Sequence, residues 1–75
     1  MMKRLTECSK GTRAVIAKIT ASGPLKQRLL SFGMIKDATV EVLEFSTTKS
    51  TVEVKVGKMR IALRREEAEL IEVVE

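Results

Sequence analysis

The chain has 75 residues, and this length predicts one domain that covers residues 1–75. Hydrophobic residues make up 44% and charged residues 32% of the chain, which is typical of a globular domain and excludes a disordered one. A net charge of +4, a single cysteine (Cys8) and no apolar run near the ~20 residues of a membrane span favour a cytoplasmic protein without internal disulfides.

The charge is unevenly distributed along the chain. Residues 66–75 contain five glutamates and no basic residue, whereas residues 1–65 contain all 14 lysines and arginines against five acidic residues. A basic body with an acidic end is compatible with an acidic partner. It is also compatible, more simply, with charged strand faces that keep a small β domain in solution.

The first strand is predicted over residues 12–19, after a lead-in from which Leu5 tucks under the core. The segment is rich in β-branched residues, but Ile16 and Ile19 fall on opposite faces of a regular strand. A β-bulge near Ala17 would bring both side chains to the same side of the sheet.

A short helix is predicted over residues 24–32. Pro24 suits the start of a helix, because its missing N–H would be unpaired there in any case. Gly33 suits the end, where a left-handed residue is favoured. Three apolar residues at spacings of four and three share the face that would cover the core: Leu25, Leu29 and Phe32.

Three further strands are predicted after a turn around Asp37. Residues 39–45 alternate at first and then carry Leu43 and Phe45 on the opposite face. Residues 51–56 have the cleanest period of two in the chain, and residues 59–64 alternate again. In this last strand the side chains predicted to face inwards are Met59, Ile61 and Leu63.

The chain closes with a one-turn helix predicted over residues 65–69 and a last strand over residues 70–74. Acidic residues near the start of that helix are favourable, because the helix dipole is positive there. Five short strands at close spacing, with one short helix in the first connection, predict a mainly β fold in the form of a small, strongly bent barrel.

Two motifs in the sequence are specific enough to indicate a known family. They are Arg28-Leu29-x-x-x-Gly33 and Ala62-Leu63-Arg64-x-x-x-Ala68-x-x-Ile71. Together with Gly11-x-x-Ala14-x-Ile16, Val40-x-Val42 and Val56-Gly57, they give a pattern from about Leu5 to Val73. This pattern resembles the ferrous iron transport protein A (FeoA) family.

The resemblance implies an SH3-like barrel in the bacterial cytoplasm that serves FeoB, a membrane ferrous iron transporter with a cytoplasmic GTP-binding domain. The same fold is known as a C-terminal domain of iron- and manganese-responsive repressors. The sequence departs from the family pattern at two turns. Asp37 stands where glycine is frequent, and Lys49-Ser50-Thr51 stands where Gly-Asp-Pro-like residues are frequent.

The residues do not predict a metal site, a cofactor or catalysis. Without histidine, a two-histidine-one-carboxylate site is impossible and the candidate bases are carboxylates and lysines. Cys8 is expected to be a partly buried small residue and not a nucleophile. The glutamates at 66, 67 and 69 could gather a hard cation, but a solvated helix turn is the simpler interpretation. We therefore predict that the chain is not an enzyme.

Aromatic residues are limited to Phe32 and Phe45. The aromatic groove with which SH3 folds bind proline-rich peptides is therefore not predicted. The same scarcity disfavours single-stranded nucleic acid, which stacks its bases on aromatic side chains. Binding of double-stranded nucleic acid, through contacts between the basic residues and the phosphates, remains an alternative function.

Five residues are candidates for contact with a protein partner. The family motif singles out Arg28, although a helix arginine often packs its stem on the barrel and pairs its head with a nearby acid. Arg64 could contact a partner, cap the one-turn helix or pair with Glu66. Met34, Leu43 and Phe45 are predicted to form an exposed apolar patch, unless a bend turns Leu43 and Phe45 into the core.

Together with the resemblance, these residues predict a small cytoplasmic accessory protein of bacterial ferrous iron uptake. It would bind the cytoplasmic G-protein region of FeoB and modulate the transporter through protein–protein contact. The alternative is a FeoA-like regulatory domain that acts with a metal-dependent repressor or on nucleic acid. We expect no direct membrane insertion, and the sequence leaves the oligomeric state open.

Overall fold

The computed structural model describes residues 2–75, most of which lie in antiparallel strands. In chain order the elements are β1 (Lys3–Arg4), a 3₁₀ turn (Leu5–Glu7), β2 (Arg13–Ile19), α1 (Gly23–Ser31), β3 (Thr39–Phe45), β4 (Thr51–Val56), β5 (Met59–Arg64), α2 (Arg65–Ala68) and β6 (Ile71–Val74). The strands form one sheet in the order β1-β6-β2-β3-β4-β5. The predicted mainly β class is confirmed, with six strands where five were expected.

The additional strand β1 is only two residues long, and pairing with β6 defines it. Lys3 lies opposite Val73, and Arg4 lies opposite Glu72. Two residues cannot display an alternating pattern, so this strand leaves no signal in the sequence. The 3₁₀ turn that follows buries Leu5 completely, as predicted.

One hydrophobic core lies inside the sheet, and every strand from β2 to β6 contributes buried apolar side chains to it. The sheet therefore curls around this core, and α1 covers it with the fully buried Leu29. Leu25 and Phe32 are partly buried and pack against the same core, which confirms the predicted apolar face of the helix. None of the helices within residues 2–75 is long and apolar enough to cross a membrane.

Two β-bulges set the faces of the longer strands. The register between β2 and β6 shifts between Ile16 and Lys18, as the sequence predicted. A second shift lies between Val42 and Glu44 in β3 and was not predicted. Because a one-residue shift exchanges the two faces of a strand, it turns the end of β3 towards the core.

The C-terminal end of α1 forms a hydrogen-bonded reversal around Gly33. The Gly33 N–H donates to the Leu30 carbonyl over 2.9 Å, and the Met34 N–H donates to the Leu29 carbonyl over 3.1 Å. Gly33 has a φ of +88°, which glycine adopts without a Cβ clash. These two bonds make a Schellman motif, and its usual apolar contact is supplied here by the buried side chains of Leu29 and Met34.

The predicted turn after the helix contains Asp37, whose φ is +75°. The family frequently has glycine at this position, and the left-handed geometry explains why. Glycine adopts this geometry at lower cost, and aspartate tolerates it. The prediction for Met59 is wrong, since 47% of this residue is exposed. Met59 begins the edge strand β5 directly after a two-residue turn, so its side chain extends past the end of the core.

Candidate partner interface

The structure separates the five sequence candidates into three places. Arg28 and Arg64 both contact Glu67, whereas Leu43 and Phe45 lie at the far end of β3. Met34 is fully buried, so its assignment to an exposed patch is wrong. The Schellman motif is the physical reason, because the residue that follows its glycine points back onto the core.

Glu67 is the only buried charged residue in the part of the chain that the structure describes, and 9% of its surface is exposed. One carboxylate oxygen, Oε2, accepts a hydrogen bond from Arg28 Nη1 over 2.6 Å. The other, Oε1, accepts the backbone N–H of Arg64 over 2.8 Å. Glu67 therefore ties α1 to the start of α2, and both of its oxygens are in use.

The Arg28 guanidinium has a second contact within its own helix. Its central carbon lies 5.6 Å from the centre of the Phe32 ring, which is within cation–π range. The side chain of Arg28 is still 49% exposed. The interpretation of Arg28 as a helix arginine paired with a nearby acid is therefore supported, and the exposed half leaves room for a partner.

The glutamates of α2 do not form the solvated turn that was expected. Glu66 is exposed, but Glu67 is buried and holds the N-terminus of α2. Among residues 2–75 there is no group of three cysteine, aspartate or glutamate side chains placed to hold a metal ion. Since Glu67 is committed to Arg28 and Arg64, it is not free to ligate a cation.

Leu43 and Phe45 have different environments because of the bulge between Val42 and Glu44. Phe45 lies opposite the buried Val52 and packs against the core, while Leu43 stays half-buried on the outside of the sheet. The sequence left open whether Leu43 and Phe45 are exposed or turned into the core. The structure turns only Phe45 towards the core.

Phe45 is also the centre of a groove of about 350 Å³ that we call the Phe45 groove. Its basic residues come from three separate segments: Arg4 from β1, Lys49 from the turn after β3 and Arg65 from α2. Two acidic side chains, Glu7 and Glu69, lie in the same groove. Sequence analysis missed this basic set because its members are distant in the chain and none belongs to a motif, although the departure at residues 49–51 marks the same turn.

Cys8 lies beneath the 3₁₀ turn and is 4% exposed. Burial raises the pKa of its thiol. Since the thiolate is the reactive form, this environment is that of an inert structural cysteine. Cys8 was expected to be partly buried, and the structure buries it almost completely.

The buried thiol predicts a specific reactivity and pH dependence. Iodoacetamide at pH 8 should alkylate the folded chain at least about tenfold more slowly than the chain in guanidinium, because access and ionisation both favour the unfolded state. A raised pKa in the folded state means that the unfolded chain ionises first as pH rises. The stability contributed by Cys8 is therefore complete below the unfolded pKa of about 8.5 and decreases as pH rises above it.

Urea denaturation at several pH values between 7.5 and 10 measures this decrease. The Cys8→Ala variant is the control, because every other titratable group of the chain remains in it. Equal slopes of stability against pH in the wild-type chain and in Cys8→Ala would contradict the prediction.

Comparison with known proteins supplies the context for these surfaces. A model of the FeoA domain matches residues 3–75. A Fe(2+) transport protein A of Campylobacter jejuni is 38% identical over 69 residues, which cover 92% of this chain and 93% of that protein. A Fe(2+) transport protein A/Fe(2+) transporter FeoB fusion protein of Porphyromonas gingivalis is 31% identical over 70 residues, which are 93% of this chain and 8% of the fusion.

Solved structures have the same fold. The zinc-complexed FeoA of Stenotrophomonas maltophilia, described as a procaryotic SH3 domain protein, has a TM-score of 0.84 and 28% identity, over 96% of this chain and 89% of that chain. A manganese-dependent transcriptional repressor shares the fold at 23% identity, with a TM-score of 0.88, over 97% of this chain and 41% of that chain. The SH3-like fold that the resemblance implied is confirmed.

Proposed function

The chain belongs to the FeoA family of ferrous iron transport accessory proteins, and from this premise we propose that it binds an FeoB-type transporter and modulates ferrous iron uptake. The binding site on the transporter would be its cytoplasmic G-protein region, and the chain would act in the cytoplasm. The proposed action is protein–protein contact and not catalysis, and it is compatible with relatives that are named for transport.

The fusion protein of P. gingivalis is the observation that carries this proposal. In that protein a segment similar to 93% of this chain is joined to a transporter in one polypeptide. Covalent linkage raises the effective concentration of one module at the other to about the millimolar range when the linker is short. Such an arrangement is favourable when the two modules act on each other.

The surface of the chain is compatible with this role. The Phe45 groove and the exposed half of Arg28 present basic and aromatic groups at the surface of the described chain. Aromatic and arginine side chains are the residues that most often dominate protein interfaces. Of the sequence candidates, Arg28, Leu43, Phe45 and Arg64 stay proposed contacts, and Met34 does not.

Calorimetric titration of the chain into the purified cytoplasmic domain of the transporter tests the proposal. We expect saturable binding in at least one state among nucleotide-free, GDP-bound and GTP-analogue-bound. We also expect a strain without the chain to take up less or more ferrous iron than the complemented strain. No binding in any nucleotide state, together with normal uptake in the deletion strain, would refute the proposal.

The alternative role with a repressor or nucleic acid makes a different prediction. The shared fold of the manganese-dependent repressor is compatible with it at the level of architecture alone. Within residues 2–75 the helices α1 and α2 are separated by three strands, so they do not form a helix-turn-helix. A salt-dependent gel shift of duplex DNA by the isolated chain would favour the alternative over the transporter.

A further inference from the structure

A second groove lies beside α1, and none of the five sequence candidates lines it. It has a volume of about 480 Å³ and runs between the bulged part of β2, the outer side of α1 and the turn at residues 35–36. We call it the lysine groove, because Lys18, Lys26 and Lys36 line it. Lys18 belongs to β2, Lys26 belongs to α1 and Lys36 belongs to the turn.

The floor of the lysine groove is apolar and partly open to solvent. Ile35 is 50% exposed and Met2 is 51% exposed, and both line the groove together with the half-buried Ile19 and Leu30. A partner that covers such a side chain gains binding free energy, since burying a side chain of this size contributes about 1.5–3 kcal/mol. The groove thus holds two of the most exposed large apolar residues of the described chain.

Local geometry explains why the groove forms here. The Schellman motif ends α1 and sends the chain back, which places Ile35 beside β2 and not in the core. The β2 bulge occurs at Ala17, and the small side chain of Ala17 lines the groove. Both features are properties of the backbone, so the groove is preformed.

The charge of the groove is of one sign. No carboxylate lines it, whereas Glu7 and Glu69 lie in the Phe45 groove. Lys18 lies opposite Glu72 in the register of the sheet, but among residues 2–75 none of the three lysines forms a salt bridge. Three unpaired ammonium groups therefore surround an apolar floor.

We infer that the lysine groove binds an acidic segment of the transporter, with apolar side chains on the floor and aspartates or glutamates against the lysines. This inference rests on the proposed function. The apolar contacts supply most of the affinity, while the charges accelerate association and select against basic partners. Duplex nucleic acid fits less well, because an apolar floor has no contact to offer a phosphate.

A membrane surface also fits less well than a peptide segment. Lipid-binding patches insert protruding apolar residues, and polybasic lipid sites usually contain about four to eight basic residues. Here the apolar residues line a depression between three lysines. A concave site of this size accommodates a few side chains of one segment.

Charge reversal tests the inference. The variant Lys26→Glu/Lys36→Glu leaves Lys18 in place opposite Glu72 and changes two exposed side chains. We expect its Kd for the transporter's cytoplasmic domain to rise about tenfold or more, mainly through slower association and with a weaker dependence on salt. Ile35→Ser should raise the Kd about fivefold without changing the salt dependence.

The matched control is Lys55→Glu/Lys58→Glu, which makes the same change in net charge at exposed residues that line neither groove. Its Kd should change by less than about threefold, as expected of charges outside the contact. Circular dichroism checks that each variant is folded. Vesicles of phosphatidylglycerol and phosphatidylethanolamine serve as the membrane probe.

The outcomes separate the two proposals. A wild-type chain that does not bind the transporter domain would refute the proposed function and the inference together. Wild-type affinity in Lys26→Glu/Lys36→Glu, or an equal loss in the control, would refute the inference and leave the proposed function standing. Binding of the chain to vesicles that this variant alone abolishes, with transporter binding unchanged, would assign the groove to the membrane and refute the inference.

Discussion

Replacement of Leu29 by alanine is expected to lower the free energy of unfolding by about 3 kcal/mol. Leu29 is fully buried at the centre of the apolar face of α1, and its carbonyl oxygen accepts the Met34 N–H of the Schellman motif. The change removes three carbons from the core and leaves a cavity next to Met34, which cannot move without breaking the motif. For a domain of this size the loss is a large part of a total of roughly 4–11 kcal/mol.

Urea denaturation followed by far-ultraviolet circular dichroism measures this loss. Leu30→Ala is the control, because Leu30 is the next residue of the same helix and is only half-buried. It should cost about 1 kcal/mol, since less apolar surface returns to water. Equal losses in the two variants would show that α1 is not packed on the core through Leu29.

Replacement of Glu67 by alanine is expected to cost about 2 kcal/mol, which is large for an acidic residue in a run of glutamates. The change removes the hydrogen bond to the Arg64 N–H, which holds the N-terminus of α2, and the ion pair with Arg28. Loss of a helix cap costs about 1 kcal/mol. The ion pair adds up to about 1 kcal/mol, because Arg28 is half exposed and solvent screens the interaction.

A double-mutant cycle separates these two contributions. Arg28→Ala, Glu67→Ala and the double variant give the coupling energy of the pair, which we expect to be about 0.5–1 kcal/mol. Glu66→Ala is the control, because Glu66 is an exposed neighbour in the same turn. A loss for Glu66→Ala as large as that for Glu67→Ala would contradict the structural role of Glu67.

The strands from β2 to β6 and both helices could be predicted because each one has a local signal. The alternating valines of β4 and the proline and glycine that flank α1 depend on neighbours within a few residues. The β2 bulge could be predicted as well, since Ile16 and Ile19 must reach the same core. The bulge in β3 could not, because Leu43 and Phe45 are both apolar and either one could be the buried residue.

The environment of Glu67 could not be predicted from its neighbours. In the sequence it is one of several glutamates, and such a run is usually solvated. Its burial depends on Arg28, which lies 39 positions earlier and reaches it only after the sheet has curled. The motif arginine was singled out, but its partner became visible only in three dimensions.

The two grooves could not be predicted from the sequence for a similar reason. The basic residues of the Phe45 groove come from β1, the turn after β3 and α2, and those of the lysine groove come from β2, α1 and the turn after it. In the sequence these lysines and arginines are scattered and look like ordinary solvating charges. Grouping them requires the fold, so surface sites of this kind escape motif analysis.

The central claim is that the outer surface of this curled sheet acts by contacting a transporter. Chemical-shift mapping of the ¹⁵N-labelled chain during titration with the transporter's GTP-binding domain tests it most directly, with and without nucleotide. We expect saturable shifts at the lysine groove, around Lys26 and Ile35, and at the proposed contacts Arg28 and Phe45. The turn between β4 and β5 should be unaffected. Unchanged spectra at a molar excess of the domain in every nucleotide state would contradict the claim.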